Sequence, residues 1–226
     1  MNKLIYLSFH NKFFDNIILN KRKEMVKLIQ KELADINIES CLDIGSSSDK
    51  ENKSTNYIIK NLNLGKIHKS ITNQKIDDHF FSDILLETIT KRLSSDNIDK
   101  FKSDLVISSA TIEHVGSKEN QVEMLKNMAS LTKKTFIITT PNKYYPIEFH
   151  TKIPLLHFLP AKIFRKILKI LNYSFYAKEE NLNLLSEKDI LNLLKVSGIY
   201  DTYKIKIKPI RLFFIKSNFI VFCKKK

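Results

Sequence analysis

Apolar positions along the chain recur with two different periods. Residues 20–35, NKRKEMVKLIQKELAD, place Met25, Leu28, Ile29 and Leu33 on one face, the repeat of an amphipathic helix. Ser40–Gly45 is a short apolar run ending in a polar turn, which reads as a strand. Residues 52–63 read as a helix closed by Gly65, and Ile67–Thr72 as a second strand. Residues 74–87 carry no clear period, and Glu87–Leu93 is expected to be the third strand. Asp104–Ser108 (DLVIS) is a buried strand. Ser117 then caps a helix with the stripe Val122, Leu125, Met128 and Leu131, ended by Lys133–Lys134. Thr135–Thr140 is another buried strand, stopped by Pro141–Asn142. Ser186 opens a helix with Asp189 in a capping position and Gly198 as its stop, and Tyr203–Cys223 reads as two strands around a turn near 215–218.

Strands alternating with helices predict an α/β fold of three layers: a mostly parallel sheet with helices on both faces and one antiparallel strand near the C-terminus. No repeat or flexible linker divides the chain, so a single domain is expected over 1–226. Within it, 1–39 is an N-terminal helical segment, and 40–142 with 186–226 form the core. The stretch 143–185 is too long for an ordinary connection and reads as a cap insertion. Its first part brings Tyr144, Tyr145, Phe149 and His157 over the sheet's C-terminal edge. Its second part, 161–172, sets Ile163, Phe164, Ile167, Leu168 and Leu171 against Lys162, Arg165, Lys166 and Lys169. A helix of that kind packs on its own domain or lies on an anionic membrane surface.

Composition narrows the class. The 226 residues, 43% hydrophobic, are ample for a buried core and exclude a disordered chain. Two cysteines, Cys41 and Cys223, are too few for a disulfide framework and suggest a reducing compartment. No apolar run reaches the ~18–20 residues that span a bilayer. The start, MNKLIYLSFHNKFF, lacks the pattern of a signal peptide. A soluble cytoplasmic protein is expected, with contact at the inner face of the membrane as the alternative. The net charge of +14 is uneven: residues 143–178 carry +6, residues 204–226 carry +8, and the rest balance. Lys outnumbers Arg 34 to 4, as an AT-rich coding sequence would give. Poverty in Arg and the lack of a binding module argue against nucleic acid as the partner.

The candidate chemistry gathers behind the strands. In CLDIGSSSD (41–49), Gly45 permits a tight turn and the serines offer hydroxyls beside free backbone N–H groups. An ordinary strand-to-helix turn would look the same. Together with DLVISSATIEHVGS (104–117), the helix after it and FIITTPN (136–142), however, the order resembles class I S-adenosylmethionine-dependent methyltransferases, of the broad small-molecule, ubiquinone-biosynthesis type. Ser217–Val221 looks like that fold's last strand, and the resemblance covers roughly 40–223. It implies a seven-stranded Rossmann-like sheet, S-adenosylmethionine as cofactor, and transfer of a methyl group to a small or lipid-linked acceptor at O or N by in-line displacement. It also implies cofactor contacts from Asp43, Gly45, Ser46 and Ser47, with the two serines where the family often has Cys–Gly. The ribose position falls to Asn73 or Gln74, the adenine position to Asp96, and the pocket beneath the adenosine to Ser109 and Ala110.

A base helps when the acceptor is a hydroxyl or an ammonium, and His is the side chain whose ordinary pKa suits that work. His114, after the fourth strand, and His150, which Glu148 could orient, are the candidates; both could equally anchor loops. Tyr144, Tyr145, Phe149 and His157 are the expected acceptor contacts. His114, His150 and His157 with Glu113 do not have the spacing of a familiar metal site, so no metal is expected. Two rival functions stay open: a catalytically degenerate binding or scaffold protein of this fold, and a peripheral membrane or nucleic-acid binder using the basic cap and tail. Nothing in the sequence speaks to oligomeric state.

Overall fold

A computed structural model describes residues 12–49 and 52–226. Residues 1–11 of the start read above lie outside them. The elements run α1 (Lys12–Glu32), β1 (Ser40–Ile44), α2 (Tyr57–Asn61), β2 (Ile67–Thr72), β3 (Asp83–Leu86), α3 (Ser95–Phe101), β4 (Ser103–Ser109), α4 (Lys118–Leu131), β5 (Thr132–Pro141), α5 (Ala161–Ile170), α6 (Glu187–Val196), α7 (Ile199–Thr202), β6 (Tyr203–Leu212) and β7 (Ile215–Lys225). The strands form one seven-stranded sheet in the order β3-β2-β1-β4-β5-β7-β6. Strands β1 to β5 pair with one another in parallel, and β7 runs antiparallel to both β5 and the edge strand β6. The order reverses between β1 and β4, the switch point where open α/β sheets bind ligands beyond the strands' C-terminal ends.

Alternation sorts the central strands onto two faces. Cys41, Leu105, Ile107 and Ile137 pack under Met25, Ile29 and Leu33 of α1. Leu42, Val106, Phe136 and Ile138 pack under Met124, Leu125 and Met128 of α4 and Leu194 of α6. The α6 start has the expected capping box, with Ser186 and Asp189 bonding each other's backbone N–H. Within 143–185, Phe164 and Leu168 of α5 bury against Ala177 and Leu182, so this stretch has a small core of its own.

Three boundaries differ from expectation. The third strand is Asp83–Leu86 and not Glu87–Leu93. Asp83 to Leu86 pair with Lys69 to Thr72 of β2; beyond them the chain turns inward at Ile89 and Leu93. There the Asn127 side chain donates to Ile89 O and Lys91 O and accepts from Leu93 N–H, so polar atoms of α4 replace a strand neighbour. Lys133–Lys134 do not end a helix but lie in β5, which begins directly after α4. The last hairpin turns at Phe213–Phe214, ahead of the expected 215–218; Ser217 is buried in β7 and donates to Ile210 O at 3.2 Å. Helix α1 is also longer than expected, and α2 shorter.

Candidate active site

The first candidate region is the turn after β1. Gly45 has φ +88°, and a Cβ there would lie 2.5 Å from the Thr111 side chain. Its freedom therefore lets the β4 loop close against the β1 turn. Asp43 is buried and accepts a short hydrogen bond from Ser46 Oγ. Burial pushes its carboxyl up to about 6, against the opposing pull of the Ser46 hydroxyl and the Arg22 guanidinium. Ser46 Oγ in turn accepts from Ser70 Oγ at 2.8 Å, and Ser46 O from Thr72 Oγ1 at 2.7 Å. Ser47 and Asn56 exchange two bonds, backbone N–H to Oδ1 at 2.9 Å and Nδ2 to backbone O at 3.0 Å. Ser48 N–H and Oγ both donate to Gln74 Oε1 at 3.2 Å. Gln74 thus meets the serine loop, while Asn73 is exposed. Asp96 is exposed in the first turn of α3. Ser109 and Ala110 are half-buried at the end of β4, Ala110 with φ +52° and its N–H on Thr139 O at 2.8 Å.

The second region lies where the loop after β4 meets the stretch 143–185. Glu113 and His114 stand on a 3₁₀ turn, Ile112–His114, tied to the returning chain. Asn183 N–H donates to Glu113 O at 2.7 Å, and Asn183 Nδ2 to Gly116 O at 2.7 Å. Gln121 Nε2 bridges Ile112 O and Asn183 O. His114 Nδ1 donates to Asn181 O at 2.6 Å, since a carbonyl can only accept. His150 Nδ1 donates to Glu148 Oε1 at 2.5 Å, and Glu148 is fixed by the N–H groups of His150 and Thr151. The two imidazoles meet edge to face with centroids 4.6 Å apart. Glu113 is fully buried: Oε2 accepts from Thr140 Oγ1 at 3.0 Å, and Oε1 has no hydrogen-bond partner.

The charges in this cluster are coupled. Burial holds Glu113 above the usual carboxylate range. Burial, then His150, pushes His114 down to about 4. Burial alone would lower His150, but Glu148 and Glu113 outweigh it and raise the group. Burial likewise opposes ionisation of Glu148, yet the His150 charge and three hydrogen bonds bring it to about 2. Arg22 of α1 lies close enough to feel both Asp43 and Glu113, and donates to Ser54 O.

Of the expected acceptor contacts, Tyr144 is exposed against Phe158, and Tyr145 stacks on Phe149 with centroids 5.2 Å apart. His157 is buried, its Nε2 on Tyr145 O at 2.9 Å, and stands outside the Glu113–His114–His150 group. Arg22 and Asn181 also belong to the site but carry no signal in the sequence, since nothing in a basic helix or a loop asparagine distinguishes either before folding.

The strand order, the single antiparallel strand and the loops beyond the C-terminal edge give the fold of class I S-adenosylmethionine-dependent methyltransferases. Magnesium protoporphyrin IX methyltransferase from Synechocystis PCC 6803, with S-adenosylhomocysteine bound, superposes with TM-score 0.54 at 16% identity over 99% of this chain and 92% of its own. The N-methyltransferase NodS from Bradyrhizobium japonicum WM9 gives 0.51 at 8% identity over 91% and 96%. A Rhodobacter sphaeroides chain described as a Zn-dependent alcohol dehydrogenase gives 0.55 at 14% over 86% and 87%. The sequence itself matches no family model and no curated protein.

Proposed function

We propose that this chain transfers a methyl group from S-adenosylmethionine to a small or lipid-linked organic acceptor at oxygen or nitrogen. The observation that carries the reading is the placement of the buried acid Asp43 near the C-terminal end of β1, with the His114–His150 pair on the loops beyond the ends of the central strands. When bound, the cofactor supplies a methyl group made electrophilic by its sulfonium. The neighbours from Synechocystis and Bradyrhizobium, each solved with S-adenosylhomocysteine bound, support that choice.

The residues fit the cofactor at the acidic positions and less closely at the serine loop. Asp43, with a carboxyl that burial has desolvated, suits a cationic group at the end of β1. The exposed carboxylate of Asp96 is available to an adenine amino group, and Ser109 and Ala110 offer a small surface between them. The Ser47 and Ser48 N–H groups are already bonded by Asn56 and Gln74, so these amides would exchange partners when Gly45, Ser46 and Ser47 take the methionine part. Asn73 or Gln74 holds the ribose.

The chain's work is alignment, since the acceptor must face the methyl opposite the sulfur. Residues 40–142 and 186–226 act as the catalytic core behind α1, and 143–185 as the cap. Tyr144 and Phe149 meet the acceptor, while His157 and Tyr145 hold the wall that presents them. Both imidazoles bond through Nδ1, which leaves Nε2 of each to face an acceptor's hydroxyl or ammonium. Exposed Ile163, Ile170 and Leu171 beside Lys162, Lys166 and Lys169 support a lipid-linked, anionic acceptor.

Incubation with methyl-labelled S-adenosylmethionine and a small-molecule extract tests the reading. Label is expected in organic-soluble small molecules, and not with Asp43→Ala; label appearing only in protein or nucleic acid contradicts it.

A further inference from the structure

We infer that Glu113, His114 and His150 form a binding site for one divalent first-row transition-metal ion. One ligand atom from each residue lies within 4.8 Å of the other two. A metal with bonds of about 2.0–2.2 Å spaces its ligands by roughly 3–4 Å, so a small contraction of the three side chains closes the site.

Three observations support a metal over a plain polar cluster. Glu113 Oε1 is buried without a hydrogen-bond partner, which is unfavourable unless something else satisfies it. Each imidazole is held through Nδ1 by an outer acceptor, Asn181 O for His114 and Glu148 Oε1 for His150. In the neutral ring that arrangement fixes the tautomer with the lone pair on Nε2, and it is the usual support of a metal-bound histidine; His150, which Glu148 and Glu113 favour in its charged form, releases its Nε2 proton on binding the metal. Neither Nε2 has a hydrogen-bond partner among the described residues. The charge also balances, because Glu113 and Glu148 together neutralise a divalent ion. Two imidazoles and one carboxylate favour zinc, iron or a neighbouring ion over magnesium or calcium, and leave coordination positions open. Arg22 is the nearby opposing charge, but its guanidinium donates to Ser54 O and not to Glu113.

The site stands on these contacts alone; its use rests on the methyl-transfer reading, in which an open position would hold and polarise an oxygen acceptor. Metal ligation and base catalysis compete for the same Nε2 lone pairs.

Full-length protein stripped with a chelator is dialysed against Zn²⁺, and against Co²⁺ with its visible spectrum recorded. One ion per chain is expected, with affinity reduced at least tenfold in Glu113→Gln and in His150→Ala. Glu148→Gln, which removes only an outer contact, should weaken binding ten- to a hundredfold and serves if the others fail to fold. No stoichiometric ion, or equal binding by wild type and all folded variants, overturns the site. S-adenosylhomocysteine binding measured on the same samples separates the two claims. Metal without cofactor overturns the methyltransferase reading alone, and cofactor without metal overturns the metal site alone.

Discussion

Asp104 shows how a charged side chain can hold a sheet together. It is buried at the start of β4, where Oδ2 accepts the N–H groups of Glu39 and Ser40 at 3.0 and 3.2 Å, and Lys134 sits 3.5 Å from Oδ1. Burial alone would raise its carboxyl; the backbone hydrogen bonds and Lys134 outweigh that and lower it. A depressed carboxyl stabilises the fold above its unfolded pKa of about 3.9, and that contribution is lost as pH falls through the lower folded value. Asp104→Ala should cost about 2–3 kcal/mol by urea titration at pH 7, because the buried Ser40 N–H and the part-buried Glu39 N–H lose their acceptor. Asp104→Asn should flatten the loss of stability below about pH 4. Equal urea midpoints for wild type and Asp104→Ala would contradict this. Gly45 carries a different lesson. The glycine was readable as a tight turn, but the side chain that excludes a Cβ, Thr111, lies 66 positions away in the chain. The serine hydroxyls and N–H groups after it looked free for a ligand, and only the fold shows that Asn56 and Gln74 take the Ser47 and Ser48 N–H groups while Asp43 takes the Ser46 hydroxyl.

Among the elements, buried strands were readable because their apolar runs and stops are local. Ile67–Thr72 is found where the pattern put it. Short half-exposed β3 was not, since DILL has no lasting alternation and the apolar residues after it bury in a connection tied to Asn127. Asn127→Ala removes three hydrogen bonds from that connection and should lower stability by about 2–3 kcal/mol, visible as faster amide exchange over 87–93. Unchanged exchange would show that apolar packing alone holds the segment. The final hairpin breaks a local rule: Phe213 and Phe214 both have positive φ, at 49° and 66°, and are 74% and 97% exposed. A two-residue turn of this kind favours Asn-Gly, and bulky residues there are strained by roughly 1–2 kcal/mol each. The double substitution Phe213→Asn, Phe214→Gly should raise Tm by about 4–16 °C; an unchanged or lower Tm would contradict the strain.

For the whole molecule, the uneven charge acquires a partial structural cause. Lys206 and Lys208 of β6 pair with Glu32 of α1 at 2.5 and 2.6 Å, so part of the basic tail fastens the outer strand to the N-terminal helix. The basic residues of α5 stay at the surface, beside exposed apolar neighbours. Among the described residues no helix is long and apolar enough to cross a membrane. Tertiary assembly was the least readable level. Glu113 and His114 are more than thirty positions from His150, and only the return of 143–185 to the loop after β4 sets them together. Isothermal titration of the full-length protein with S-adenosylhomocysteine measures whether the edge of the sheet beyond β1 and β4 binds the cofactor. One site per chain is expected, weakened at least tenfold by Asp43→Ala in a protein that still folds. Absence of binding to this ligand and to S-adenosylmethionine at millimolar concentration would contradict that expectation.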